Sequence, residues 1–270
     1  MVETLRRSWR ERLFSFDLWT LDRHREGTIG MLDGVWLEPI TDAAPYGAYF
    51  KPTCKCKTPA AAREKIAADL AYDLEIPAVP VLLCDSKRRF GAQQDPCCVS
   101  LVTHPVVSTW TLILADAVRE TAAGQALLRS APEPLSRIAV FDIWLENRDR
   151  AGNIVYAEDP SDMLRSTFCA LDHDASMGGV KQSWQNGGWA KVEWMPFPDQ
   201  LCGLLDRDAM LRTAERIESY PEDEIGRCVD RIPDRYMDSS TRSDTRNGLI
   251  GRKASLSALV LQHFEKGQRR

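Results

Sequence analysis

The sequence predicts an α+β fold of two lobes: a small lobe of sheet with one packed helix over residues 1–104, and a mostly helical lobe over residues 105–270. Three observations predict it. Short runs of aromatic, β-branched and small residues, the composition of strands, crowd into the stretch before residue 103. One alanine-rich segment with helical spacing interrupts them, which suits a sheet with a helix on one face. From residue 208 onward the apolar residues recur at three- and four-residue spacing, as in packed helices.

Taken in order, residues 4–15 carry Leu5, Trp9 and Leu13 at helical spacing and predict a first helix. Thr28–Leu32, Val35–Pro39 and Gly47–Lys51 predict three strands of a meander. Lys51 stands near the end of the last, and Pro52, which lacks an N–H, stops further ladder pairing. A helix follows over about 59–75. Pro59 suits its first turn, its alanines favour helix, and Ile66, Leu70 and Leu74 form an apolar stripe with Ala67 and Ala71 beside them. Glu64 lies two residues before Ile66, about 200° round the helix and so off that stripe. Strands are predicted at Val79–Cys84 and Cys98–Val102. At Leu101-Val102-Thr103-His104-Pro105 the proline argues against further strand and marks the passage into the second lobe.

Beyond that passage, Trp110–Leu128 and Pro134–Leu145 read as helices, and Ile154–Tyr156 and Thr167–Leu171 as short strands. Residues 176–200 are rich in Gly, Trp and Pro, with Trp184, Trp189 and Trp194 among them, the composition of a long connection over a site or of an irregular one anchored by buried tryptophan. Helices over Asp208–Ser219, Glu222–Arg231 and about Thr241–Phe264 close the chain.

The segment richest in chemistry is Phe141–Asn153, reading FDIWLENRDRAGN, together with Leu171-Asp172-His173-Asp174. An apolar run, Ile138–Leu145, delivers a short polar hairpin carrying Asp149, Arg150 and Asn153. A second, Phe168–Leu171, delivers Asp172. Two carboxylates and an amide brought together at element ends can hold a divalent metal and orient a hydroxyl. Phosphoryl transfer needs that geometry, because its catalysis is mostly positioning and charge neutralisation. Lys51 suits a phosphate, since its ammonium is a compact point charge on a long stem. Each residue alone also fits a plain turn or a solvated surface, because Asp, Asn and Gly dominate turns in any protein. The informative part is their order along the chain.

That ordered set resembles the HipA-like kinases and, more distantly, the phosphatidylinositol-kinase-like group. In these, a catalytic loop reading roughly N-x-D-R-(H/x)-x-x-N precedes an apolar I/L-D-H/F-G motif. Asn147, Asp149 and Arg150 match the first motif, and Leu171-Asp172-His173 the second. Asn153 follows Asp149 by four residues where the family has five, Ala151 stands for His, and Asp174 stands for Gly. Glu64, Ala67, Leu70 and Ala71 through Ile76-Pro77-Ala78-Val79-Pro80 resemble the family's helix and its following L-G-L-P-V-P, and Ile232-Pro233-Asp234-Arg235-Tyr236 resembles its I-P-x-x-W/Y. The resemblance runs from Gly47 to the C-terminus and is tenuous over 85–130.

It implies a protein-kinase-like fold and an ATP- and Mg²⁺-dependent phosphotransferase acting on protein Ser/Thr. Lys51 would grip the α/β-phosphates and Glu64 would hold Lys51. Leu101 and Val102 would belong to a hinge whose backbone meets the adenine edge. Asp149 would accept the substrate hydroxyl's proton, and Asn153 and Asp172 would ligate Mg²⁺, which prefers a few hard oxygen ligands plus phosphates. Two alternatives remain open. One is a degenerate kinase that binds nucleotide or a partner, given the shortened loop and the single glycine of Ile40–Gly47, where a phosphate-covering loop is expected. The other is a kinase of small molecules or peptides that uses 176–200 as a substrate wall.

Bulk properties narrow the partners. At 270 residues, 44% hydrophobic and 27% charged, the chain has the composition of an ordinary globular protein. A formal charge of −4 and a pI near 5.7 give no general attraction to nucleic acid, and none is expected as a partner. No apolar run of ~18 residues predicts a membrane span, and Met1–Arg7 lacks a secretory signal's apolar core. Eight cysteines without paired C-x₂-C spacing read as reduced thiols, so a cytoplasmic location is expected.

Overall fold

Strand-forming residues before residue 104 build one antiparallel sheet in the structure, a computed structural model that describes residues 19–21, 35–39, 46–52, 60–84, 97–103, 108–109, 120–159, 162–178, 189 and 197–267. Its strands are β1 (Trp19–Leu21), β2 (Val35–Pro39), β3 (Tyr46–Pro52), β4 (Val81–Cys84) and β5 (Cys97–Thr103), in the order β1-β2-β3-β5-β4. β2 and β3 are neighbours, as a meander requires, with Val35 opposite Phe50. β3 pairs along its whole length with β5, from Tyr46 opposite Thr103 to Pro52 opposite Cys97. Pro52 is the last residue of β3, where its missing N–H costs the ladder least. The predicted helix over 4–15 and strand Thr28–Leu32 lie outside the described residues. β1, three residues long, is too short for alternation to reveal in sequence.

Helix α1 (Ala60–Asp73) packs against β4 and β5. The stripe of Ile66, Leu70 and Leu74 is fully buried, as expected of a sheet-facing helix. The opposite side is buried too: every residue from Ala60 to Ala71 is buried, including Arg63, Glu64, Lys65 and Asp69. The amphipathic pattern predicts one covered face. The structure covers the other because a later helix, Glu222–Asp230, also packs against α1 and His173 N–H donates to Glu64 Oε2. Buried charges demand partners, and Lys65 Nζ donates to Asp69 Oδ1 at 2.9 Å. α1 ends in a left-handed residue, Glu75 (φ 54°), with Ile76 N–H bonded to Ala71 O at 2.8 Å and Glu75 N–H to Tyr72 O at 3.2 Å. This is a Schellman stop with glutamate where glycine is usual. The following segment adds to the end of a later strand, Asp162–Ala170: Ala170 N–H donates to Pro77 O and Val79 N–H to Ala170 O.

Past β6 (Ser108–Thr109), helices α2 (Ala122–Ser130) and α3 (Pro132–Leu145) lead into a hairpin of β7 (Ile154–Asp159) and β8 (Asp162–Ala170), with β6 on β7's outer edge. The predicted helix over Trp110–Leu128 is corrected here. Its described part starts at Ala122, because Thr121 takes an extended conformation and its side chain caps Gly124 N–H at 3.0 Å. α3 is the centre of the core, with Leu135, Ile138, Val140, Phe141, Trp144 and Leu145 all buried.

The chain closes with α4 (Asp199–Cys202), α5 (Arg207–Ser219), α6 (Glu222–Asp230), α7 (Ser239–Lys253) and α8 (Leu256–Gly267). The single helix predicted over Thr241–Phe264 is two, broken at Ala254–Ser255. α3 packs against α5, α7 and α8. No helix among the described residues is long and apolar enough to cross a membrane.

α7 approaches Trp189 so closely that one of its positions admits only glycine. A Cβ on Gly248 would stand 2.1 Å from Trp189 Cζ2, whereas one on Gly251 would meet nothing within 4 Å. Gly248→Ala is therefore expected to destabilise the fold by about 1–2 kcal/mol, the overpacking cost outweighing the better helix propensity of alanine. Gly251→Ala is expected to stabilise it by about 0.5–1 kcal/mol. Urea midpoints of the two variants check this pair, and equal shifts would contradict the close approach.

Candidate active site

α3 ends where its last apolar residue, Leu145, gives way to Glu146 in the left-handed region (φ 55°). That turn sends the chain into Asn147-Arg148-Asp149-Arg150. Asn147 fixes the loop from inside. Its Nδ2 donates to Asp142 Oδ1 at 2.9 Å, and its Oδ1 accepts from Asp149 N–H at 3.2 Å. Asp149 thus stands on a loop tied down at both sides while its own side chain is exposed.

Arg150 organises the site. Its side chain is 1% exposed and its donors are shared among three chain segments. Nε and Nη2 form a bidentate pair with Asp142 at 2.7 and 2.8 Å. Nη1 donates to Asn153 O at 2.7 Å and also to Leu171 O. Burial works against the guanidinium's charge. The charge and hydrogen bonds of Asp142, with the nearby charges of Asp172 and Glu64, outweigh it and hold Arg150 above its ordinary value. A planar fork reaching a carboxylate and two carbonyls at once is a role lysine cannot fill.

Asn153 is the last residue before β7, and Leu171 the first after β8. Because Ile154 pairs with Ala170, the two emerge side by side, and Leu171 N–H donates to Asn153 O at 3.0 Å. Asn153 Nδ2 donates to Asp149 O at 2.8 Å, closing the short loop and leaving Oδ1 as the acceptor end of the amide. Asp172 follows with φ 61°, a left-handed conformation rare for a non-glycine residue. Its Oδ1 accepts from Asp174 N–H at 3.2 Å. Strain of this kind, about 1–3 kcal/mol, persists only where the surroundings enforce it, and it clusters at functional sites.

Glu64 joins this loop from α1. Its Oε2 accepts His173 N–H at 2.9 Å and lies 4.0 Å from His173 Nδ1. His173 is buried against Phe141, ring centroids 5.7 Å apart. The loop is then tied back to α3, since Met177 N–H donates to Leu145 O at 2.7 Å.

Of the residues singled out in the sequence, the structure brings Asp149, Asn153, Asp172 and Glu64 into one neighbourhood around Arg150. Lys51 is in register with Cys98, next to last in β3. Leu101 and Val102 lie within β5, opposite Ala48 and Gly47, beyond the point where β4 begins at Val81 opposite Ser100. The loop Ile40–Gly47 lies outside the described residues up to Pro45. Three contributors escaped the sequence reading: Asp142, the scaffold role of Arg150, and the backbone of His173 as a partner of Glu64. The signal available for Asp142 is its position, a lone carboxylate within the apolar run Ile138–Leu145.

No group of three or more His, Cys, Asp or Glu that could hold a metal occurs among the described residues. What the loop ends offer is one amide and one carboxylate. Among the described cysteines, Cys98, Cys169 and Cys228 are buried, and Cys202 partly so.

The fold has a counterpart among solved structures. The crystal structure of a proinflammatory kinase, CtkA, from Helicobacter pylori superposes with a TM-score of 0.60, covering 94% of this chain and 99% of that one at 13% sequence identity. At that identity the likeness is one of fold: the chain has a kinase-like fold, mixed in strand and helix and mostly helical. No protein-family model matches the sequence, and no curated protein does.

Proposed function

We propose that the protein is an ATP- and Mg²⁺-dependent phosphotransferase of the HipA-like kind, with protein Ser/Thr as acceptor and lobes spanning 1–104 and 105–270. The observation that supports this best is the buried Arg150, which joins the loop carrying Asp149 and Asn153 to the strand end leading into Asp172. The donor set fits Mg²⁺. Asn153 spends its N–H on Asp149 O and keeps an oxygen for a cation, and Asp172 is a half-buried carboxylate. Both are hard oxygen ligands, and so small a set suits an ion that retains waters and shares phosphate oxygens.

In this reading Asn153 and Asp172 would hold Mg²⁺, which supplies charge neutralisation on the phosphates when bound. The exposed Asp149 carboxylate orients the acceptor hydroxyl and takes its proton. Lys51 binds the α/β-phosphates and pairs with Glu64. Leu101 and Val102 present backbone groups to the adenine. Glu64 then has a double duty, since it also holds His173 N–H and so links the nucleotide lysine to the loop of Asp172.

A second reading, a degenerate kinase that binds nucleotide without transferring phosphate, draws on one observation. Asn153 follows Asp149 by four residues where the resemblance has five, and its side-chain N–H is turned back onto Asp149 O at 2.8 Å. Calorimetric titration with ATP, with and without Mg²⁺, tests the metal assignment. Asp172→Ala is expected to weaken Mg²⁺-dependent binding by about tenfold or more, because it removes a ligand of the ion. Unchanged affinity in the variant would refute the assignment.

A further inference from the structure

The helix that launches the catalytic loop ends inside the protein, and the last carbonyls of a helix have no intrahelical partner. Each of the last four carbonyls of α3 is accounted for. Asp142 O accepts Asn147 N–H at 2.9 Å, and Leu145 O accepts Met177 N–H at 2.7 Å. Between them, Ile143 O takes the Glu146 N–H at 3.4 Å, and both Ile143 O and Trp144 O also accept from a residue of α7, more than a hundred positions later. Arg252 Nε donates to Trp144 O at 2.7 Å, and its Nη2 donates to Ile143 O. Its third arm, Nη1, donates to Trp189 O at 3.0 Å. Arg252 is 1% exposed, and a cation at a helix C-terminus is favoured by the dipole there. α7 and α3 are stitched a second time, since Trp144 Nε1 donates to Leu249 O at 2.9 Å. The Trp189 ring in turn seats against the Cβ-less face of Gly248.

From this geometry we propose that Arg252 is a positioning residue for the catalytic loop. It holds the end of α3 and the backbone of Trp189 in one fixed relation, and through that end it sets where Asp149 stands. The inference rests on the phosphotransferase reading for its kinetic consequence but not for its structural one. A point-charge ammonium cannot span three carbonyls from two segments as a guanidinium does, so charge alone does not fulfil the role.

The test measures Arg252→Met and Arg252→Lys by amide hydrogen exchange and by steady-state phosphate transfer, normalised to folded protein. Arg252→Met is expected to accelerate exchange by about tenfold to hundredfold in peptides covering 143–150 and in those containing Trp189, both together, with α5 unchanged. kcat is expected to fall by about tenfold or more while the KM for ATP stays within about twofold, with Arg252→Lys intermediate in both readouts. Exchange that rises uniformly over the chain, or at only one of the two segments, overturns the proposal, as does an unchanged kcat per folded molecule. Should Arg252→Met not fold, Arg252→Lys decides by the same readouts. A wild type that transfers no phosphate defeats the proposed function, and the exchange result still decides the role of Arg252.

Discussion

Replacing Arg150 by methionine is expected to destabilise the protein by about 3–5 kcal/mol, the cost typical of leaving one member of a buried ion pair unpartnered. The change strips Asp142 of its bidentate partner and removes the donor to Asn153 O and Leu171 O, all in the buried interior. Against a total stability of about 5–15 kcal/mol for a typical protein, such a loss is visible in any denaturant titration. Arg150→Lys is expected to recover only part of it, since one ammonium cannot match the fork. A double variant, Arg150→Met with Asp142→Leu, is expected to regain part of the stability, because the Asp142 charge is then no longer stranded, although Asn147 Nδ2 loses its acceptor. It is not expected to regain activity, since nothing then ties the Asp149 loop to the strand end before Asp172. A loss below about 1 kcal/mol in Arg150→Met would show that the pair is not the site's scaffold.

The second large effect concerns chemistry. Asp149→Asn is expected to lower the rate of phosphate transfer by about 10²–10⁴-fold while nucleotide affinity stays close to that of the wild type. The Asp149 carboxylate is exposed, and the hydrogen bonds of this residue run through its backbone, N–H to Asn147 and C=O from Asn153. An amide of the same shape therefore leaves the loop standing and removes only the carboxylate that, in the proposed function, takes the acceptor's proton. Single-turnover transfer separates the steps. A variant that transfers at the wild-type rate would take Asp149 out of the mechanism.

How far this site was legible in sequence depended on the range of the interaction. Local patterns carried well: β2 and β3, helix α1 with its buried stripe, and the two apolar runs that deliver Asp149 and Asp172 all follow from spacing and residue type. Tertiary partners did not. Glu64 reads as off-stripe, yet it is buried, because the segment after β8 lies against it and His173 N–H donates to its Oε2 at 2.9 Å. The polar ties from the end of α1 to the end of α5, Tyr220 Oη to Asp73 at 2.7 Å and Arg216 to Glu75 at 2.7 Å, join residues more than 140 positions apart. Burial and the Asp73 bond hold the Tyr220 phenol well above its ordinary range, so it remains the donor. Arg252 belongs to the same class, since an arginine in a helical pattern looks solvated until its carbonyl partners are known. The break between α7 and α8 was hidden as well, because the apolar spacing runs on through Leu256 and Leu259 regardless. Asp142 is the exception that a stricter reading finds, since a lone carboxylate inside an apolar run must have a buried partner.

The most direct test of the central claim is transfer of the γ-phosphate of ATP by the wild-type protein, to itself and to a general protein acceptor, with and without Mg²⁺. The proposed function predicts ATP binding and transfer that both require Mg²⁺, and transfer that vanishes in Asp149→Asn while binding persists. Binding without any transfer would favour the degenerate reading, and a wild type that binds no nucleotide under either condition would contradict the account.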